Sequence, residues 1–221
     1  QVAPANPVVP YLGRPGRSLS PVRQIEPLLI DYGLARVQDH RPMDVIDTAA
    51  GREADLVALF TDTFAASEGE AEGRLVGALV HDQITRTPAE DLRVFAALDR
   101  GALIGAIVFS RLRYAEESRL VFILSPVAVT PGRQGEGVGQ TLIRAGLDAL
   151  ALASVDVAVT YGDPDYYARV GFRPVSEAIL PAPFALKHPH GWLAQSLTDE
   201  ALAPLRGPCR CVGALNRSDY W

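Results

Sequence analysis

Residues 127–139 read Val-Ala-Val-Thr-Pro-Gly-Arg-Gln-Gly-Glu-Gly-Val-Gly, and an apolar, helix-like run, Thr141–Leu152, follows. A buried strand, a glycine-dense turn and a helix must therefore follow one another within a few residues. Gly135, Gly137 and Gly139 let the backbone turn tightly and approach a ligand closely, because they carry no Cβ. The first turn of the helix leaves backbone N–H groups without partners, at the positive end of the helix dipole. Together these predict an anion cradle suited to a pyrophosphate.

Two familiar phosphate loops can be tested against the letters. A P-loop needs a lysine at its end, and this loop contains none. A dinucleotide fingerprint needs G-x-G-x-x-G; Gly135 and Gly137 supply the first two glycines, but the third would fall at Gln140. Asp156 lies about 20 residues on, as the acidic residue of that fingerprint would, yet it opens the next apolar run rather than closing it. The plain alternative is a glycine-rich turn with no ligand, so the surroundings decide.

Those surroundings read as one mixed α/β domain. Asp44–Ala49 is a short strand candidate. Glu53–Ala66 carries Leu56, Val57, Phe60 and Phe64 at helical spacing, and Gly69–Arg86 repeats the pattern with Leu75, Val76, Leu79 and Val80. Asp91–Asp99 and Ala102–Leu112 are strand-like and joined by a tight Arg100-Gly101 turn. Arg119–Val129 feeds the glycine loop. After the Thr141–Leu152 helix come a buried strand at Val155–Thr160, a short helix at Tyr166–Val170 and a strand from Phe172. Pro181–Leu205 reads as mostly turn and loop, and Cys209–Leu215 as a last strand candidate. The order is β-α-α-β-β-β-α-β-α-β-β. The first 41 residues differ: Pro4, Pro7, Pro10, Pro15, Pro21 and Pro27 break regular structure and predict an irregular arm before a domain at 42–221. Such an arm could wrap a neighbouring subunit in a homodimer or be incidental.

Composition narrows the function classes. A net charge of −5 disfavours a general nucleic-acid or anionic-membrane surface. No run of apolar residues is long enough for a spanning helix. No N-terminal stretch has the charged, apolar and cleavage regions of a secretory signal, which points to the cytoplasm. Cys209 and Cys211 are too close for an ordinary structural disulfide and lack histidine neighbours, so they read as small packing residues in a strand and no metal site is expected.

The pattern that fits the loop is Q-x-x-G-x-G, formed by Gln134, Gly137 and Gly139 directly after a Val-Ala-Val strand. It resembles the acetyl-coenzyme A loop of the GNAT superfamily of N-acetyltransferases. Tyr167-Ala-Arg-Val-Gly-Phe172 is similar to that superfamily's Y-x-x-x-G-F segment. The local forms Gly162-Asp-Pro-Asp-Tyr-Tyr167 and Ala65-Ala-Ser-Glu-Gly-Glu-Ala-Glu-Gly-Arg-Leu-Val76 resemble a branch of uncharacterised predicted acetyltransferases. The resemblance covers about residues 44–221 and implies a mostly antiparallel central sheet flanked by helices, with two splayed central strands.

It also implies a chemistry: transfer of an acetyl group from acetyl-coenzyme A directly to a primary amine, on a small molecule or a protein. The backbone of Val127, Ala128 and Val129 would meet the amide-rich pantetheine arm, as an added strand would. Pro126, which lacks an N–H, and small Ser125 are consistent with a local break in pairing there. The N–H groups of Gln134, Gly135, Glu136, Gly137, Val138 and Gly139 would hold the pyrophosphate. Arg133 would add charge or face solvent, and Thr141 would lend a hydroxyl or only start the helix. Tyr167 matches the tyrosine that meets the coenzyme sulfur and could donate a proton to the leaving thiolate; otherwise it only packs beneath the coenzyme. Tyr166 reads as core or pocket wall. Asp163 stands where the superfamily more often has an asparagine-containing loop, which puts a usual contact to the arm in doubt. For a general base the candidates are Glu116, Glu117, Glu68, Glu70 and Glu72, although a charge run of this kind is most often a solvated face. His81 reads as a surface residue, and His188 and His190, near Trp192, could line an acceptor pocket. A binding or sensor module without turnover is the competing reading.

Overall fold

The computed structural model describes residues 43–221. The proline-rich stretch expected to form an arm, residues 1–41, lies outside the described residues. The chain runs β1 (Asp44–Asp47), α1 (Glu53–Glu68), α2 (Glu70–Arg86), β2 (Leu92–Asp99), β3 (Ala102–Tyr114), β4 (Val121–Val129), α3 (Val138–Leu152), β5 (Val157–Tyr161), α4 (Pro164–Tyr167), β6 (Arg173–Pro174), β7 (Trp192–Ser196) and β8 (Cys209–Cys211). Seven strands pair in the order β1-β2-β3-β4-β5-β7-β6, and β8 adds to β3. Every pairing is antiparallel except β4 with β5.

Strand alternation sorts the side chains onto two faces. Phe95, Ile107, Phe109, Phe122 and Leu124 point to one face and pack against Leu142, Ile143, Leu147 and Leu150 of α3. Val94, Ala96, Ala106 and Val108 point to the other and meet Leu56, Phe60, Phe64, Val76 and Val80 of α1 and α2. A third cluster on that second face joins Leu79 to Val159, Tyr161, Trp192 and the C-terminal Trp221. With both faces covered, the central strands read as unbroken apolar runs. The α1–α2 pair packs closely through two glycines: a Cβ on Gly77 would lie 2.1 Å from Thr61 Oγ1, and one on Gly73 2.5 Å from the Thr61 carbonyl oxygen.

Three sequence expectations change. The stretch 181–205, read as mostly turn and loop, contains β7, an inner strand that pairs with all five residues of β5. Pro181, Pro183, Pro189 and Gly191 crowd the segment with breakers, yet Trp192 and Leu193 are fully buried, and tertiary burial overrides the local signal. The strand expected from Phe172 is only Arg173–Pro174. The last strand ends at Cys211, and Gly213–Leu215 forms a 3₁₀ turn.

Candidate active site

The two central strands part company at one point. β4 pairs with β5 from Val121↔Val157 to Leu124↔Thr160 and no further, although β4 continues to Val129. On its other edge β4 stays bonded to β3, with a register shift between Ile107 and Phe109. Val127 faces Ile107 but Leu124 faces Phe109, so β4 holds one extra residue around Ser125 and Pro126. This is a β-bulge, which bends the strand and moves subsequent side chains to the opposite face. The Ser125–Pro126 peptide within it is cis. After the bulge it is Val127 and Val129 that pack on the α3 side, and Ala128 that joins the α1–α2 side.

The ladder fixes which backbone groups are free. The Thr130 N–H donates to the Ile104 carbonyl at 3.0 Å, so Gly105↔Val129 is a non-hydrogen-bonded pair. Antiparallel alternation then turns the N–H and C=O of Val127 and Val129 away from β3, toward the edge β5 has left. Ala128 instead pairs its backbone with Ala106. The Gln134 side-chain amide donates to the Val129 carbonyl across this edge, at 3.0 Å.

The glycine loop lies beyond. Pro131–Arg133 forms a 3₁₀ turn, and Gly135 and Gly137 take φ of 82° and 84°, a region that side chains with a Cβ rarely adopt. α3 then begins at Val138, three residues earlier than the apolar pattern suggested, because buried Val138 and Gly139 already belong to its packed face. Thr141, exposed in the first turn, donates its N–H to the Gly137 carbonyl at 3.0 Å. The N–H groups of Val138, Gly139 and Gln140 precede the first intrahelical bond, and no side chain among the described residues caps them. Arg133 is committed elsewhere: it donates to Glu136 at 2.7 Å and to Asp99 at 2.6 Å, which raises the guanidinium further, and the Asp99 bond ties the loop to the β2–β3 turn.

Tyr167 comes to the fork from the far side. It is 7% exposed, and Thr160 stands close enough to favour its ionised form slightly. Thr160 in turn donates to the Leu124 carbonyl at 3.1 Å, at the last paired rung of β4 and β5. Burial, with Tyr166 beside it, pushes the phenol well above its ordinary range, so Tyr167 holds its proton. The Tyr166 ring meets that of Tyr167 edge-on at 5.1 Å. Its hydroxyl reaches the start of α3, 2.4 Å from where a Cβ on Gly139 would stand. Tyr166 therefore walls the helix terminus and explains the glycine at 139. Asp163 caps α4, accepting from the Asp165 N–H at 2.9 Å ahead of Pro164 at the first helical position.

The acidic candidates separate cleanly. Glu117 is held by Arg119 at 2.5 Å, which lowers it to about 2 and leaves it a poor proton acceptor. Glu70 is exposed and faces Arg74 at 3.7 Å. Glu68, at the end of α1, and Glu72, in the first turn of α2, each bury one carboxylate oxygen that has no hydrogen-bond partner among the described residues. Burial first and then Glu72 push Glu68 up to about 7, and burial raises Glu72 as well. Leu75 and Leu79, further along α2, pack against the cluster of Val159, Tyr161 and Trp192, on the sheet face opposite α3. His81 is exposed beside Asp82. His188 and His190 are exposed, with their rings 5.9 Å apart. Among the described residues no group of three or more His, Cys, Asp or Glu could hold a metal ion.

Sequence reasoning missed three residues here. Thr160 is the one polar residue in the Val-Ala-Val-Thr-Tyr run of β5, which was the available signal. Gln83 occupies an apolar-face position on α2, is fully buried, and donates to the Ser125 carbonyl at 2.9 Å inside the bulge. For the Gln134 side chain no local pattern gave a cue.

Comparison with known proteins agrees with this geometry. The chain is 38% identical over 146 residues to an uncharacterized N-acetyltransferase, YjhQ, of Escherichia coli K12, covering 64% of this chain and 78% of that protein. A crystal structure of the GNAT-family N-acetyltransferase YhbS from Escherichia coli, in complex with CoA, superposes with a TM-score of 0.65 at 26% identity, covering 79% of this chain and 92% of the other. A GNAT-family acetyltransferase from Brucella melitensis, in complex with acetyl-CoA, gives 0.59 at 26% identity, covering 80% and 100%. Residues 54–172, from the start of α1 through the Gly-Phe pair after α4, match the acetyltransferase (GNAT) family, and the chain belongs to it.

Proposed function

We propose that the chain moves an acetyl group from acetyl-coenzyme A to a primary amine by direct transfer in a ternary complex. The observation that carries this reading is the free edge of β4 at Val127 and Val129, lying directly before the uncapped start of α3. An amide-rich pantetheine arm can pair with such an edge as an added strand. The N–H groups of Val138, Gly139 and Gln140, with those of Gly135, Glu136 and Gly137, suit a pyrophosphate at the positive end of the helix dipole; the Gln134 N–H, expected among them, donates instead to the Pro131 carbonyl at 3.4 Å. The coenzymes named with the YhbS and Brucella melitensis structures support the same assignment.

Bound acetyl-coenzyme A supplies an activated thioester; the remaining work falls to the chain. Val127 or Val129 offers a backbone N–H to the oxygen that becomes negative as the amine attacks. Tyr167 keeps its proton by burial and can offer it to the departing sulfur. The acceptor ammonium must lose a proton first. Glu68 is the base we assign, because a carboxyl near 7 is half ionised at neutral pH and still holds a proton firmly enough to take it from an amine. Arg133 contributes by fixing the loop rather than by meeting phosphate. Glu68 and Glu72 together favour a cationic acceptor, either a small polyamine-like molecule or a lysine side chain.

The test is thiol release from acetyl-coenzyme A with a panel of amines: a polyamine, an aminoglycoside, an amino-acid derivative and a lysine peptide. Amine-dependent thiol release is expected with at least one. Coenzyme binding with no release for any amine would favour the sensor reading.

A further inference from the structure

A second site stands at the other end of β3. β2 covers the outer edge of β3 only as far as Ser110, and β8 takes over that edge from Leu112. Arg111 falls at the joint between them. A cavity of ≈150 Å³ opens there, lined among others by Arg86, Arg111, Arg113, Asp91 and Cys211. Phe122, the register partner of Arg111, is seven residues from Val129 along β4. The notch is therefore ~17 Å from the near end of the free β4 edge, at Val127, and ~23 Å from Val129, where the glycine loop begins.

Its charges do not balance. One carboxylate, Asp91, is held by both oxygens from a single Arg113 nitrogen at 2.7 and 2.9 Å. Arg86 has only an exposed contact of 3.3 Å with Asp82. Arg111 makes no hydrogen bond or ion pair among the described residues, and its Nε is buried without an acceptor. Its guanidinium carbon lies 5.6 Å from the Phe122 ring centroid, a contact that holds the group in place without satisfying its N–H donors. Asp91, already held by Arg113, and Asp156, engaged by the Leu120 N–H at 2.6 Å, act on Arg111 only from a distance. Burial and Arg113 both lower the Arg111 guanidinium, the direction expected of a cation that lacks a counter-ion. Burial pushes Cys211 up to about 11, so the thiol adds no negative charge. A buried donor without an acceptor is costly; Nε is closed off from the notch, but the terminal N–H groups of Arg111 are not buried and have no acceptor among the described residues.

We propose that this notch is a binding site for a small oxyanion, a phosphate or a carboxylate, separate from the acetyl-transfer site. Planar guanidinium groups match both oxyanions through paired N–H donors. The occupant would bridge α2, β3 and β8, and so fasten the C-terminal strand to the sheet.

Thermal melts of the full chain test this, run with inorganic phosphate, with succinate, and with sodium chloride at matched ionic strength. Saturating phosphate or succinate should raise the melting temperature by roughly 5 °C above the chloride control. Whichever of the two acts at lower concentration identifies the oxyanion class. Arg111→Gln and Arg113→Gln should each abolish the rise. Arg113 is largely exposed, so its variant folds even if loss of Arg111 is disruptive. No rise beyond chloride, or an undiminished rise in Arg113→Gln, would overturn the proposal.

Discussion

Replacing Glu68 by glutamine should stabilise the protein and disable it together. Glu68 stands beside a second acid, Glu72, buries one carboxylate oxygen without a partner among the described residues, and is raised from 4.5 to about 7. That displacement corresponds to about 3 kcal/mol of stability, and partial exposure of the pair reduces it to about 1–2 kcal/mol. Below pH 4.5 the carboxyl is protonated in folded and unfolded chains alike, and no penalty exists. As pH rises from 4.5 toward 7 the unfolded chain ionises first, so the folded state loses ground; above 7 the loss is complete. Glu68→Gln removes a charge that the fold resists. Its melting temperature should exceed that of the parent by about 2–8 °C at pH 8 and match it at pH 4. The same variant should transfer acetyl groups about 100-fold more slowly or worse, and the parent's rate should rise with pH through about 7. The assays are thermal unfolding at the two pH values and amine-dependent thiol release. Equal melting temperatures at pH 8 would refute the burial argument. A stabilised variant with undiminished transfer would refute the assignment of Glu68 as the base.

Three further outcomes follow from other parts of the molecule. Tyr167→Phe should slow transfer by about 100-fold while leaving coenzyme affinity within a few-fold, since the hydroxyl acts on the leaving sulfur; kinetics beside calorimetry separates the two effects. Gly146→Ala should lower stability by about 1–3 kcal/mol in denaturant unfolding, because its Cβ would lie 2.6 Å from the buried Phe109 ring. Glu117, lowered to about 2 by Arg119, contributes stability that is present above pH 4.5 and lost as pH falls toward 2. Glu117→Gln should therefore melt at a lower temperature than the parent at pH 7 and at the same temperature near pH 2.

Much of this architecture was legible in the letters, for identifiable reasons. Helical spacing in α1 and α2 and the glycine-dense turn before α3 are local signals, and the local elements follow them. β7 was hidden because its strand character comes from the burial of Trp192 and Leu193 between β5 and β6, not from its neighbours in sequence. Within the site, Ser125 and Pro126 marked the place where pairing breaks, yet only the β3 register reveals that Val127 and Val129, and not Ala128, face the free edge. The acidic run 68–72 offered three interchangeable glutamates by sequence. Burial and pairing in three dimensions distinguish Glu68 and Glu72 from Glu70.

The measurement that bears most directly on the β4 edge and the uncapped α3 terminus is calorimetric titration of the protein with acetyl-coenzyme A, using NADH as the control ligand. Micromolar binding of acetyl-coenzyme A, with none for NADH, is the predicted result. Binding of NADH instead, or no binding of acetyl-coenzyme A, would contradict the assignment of this site.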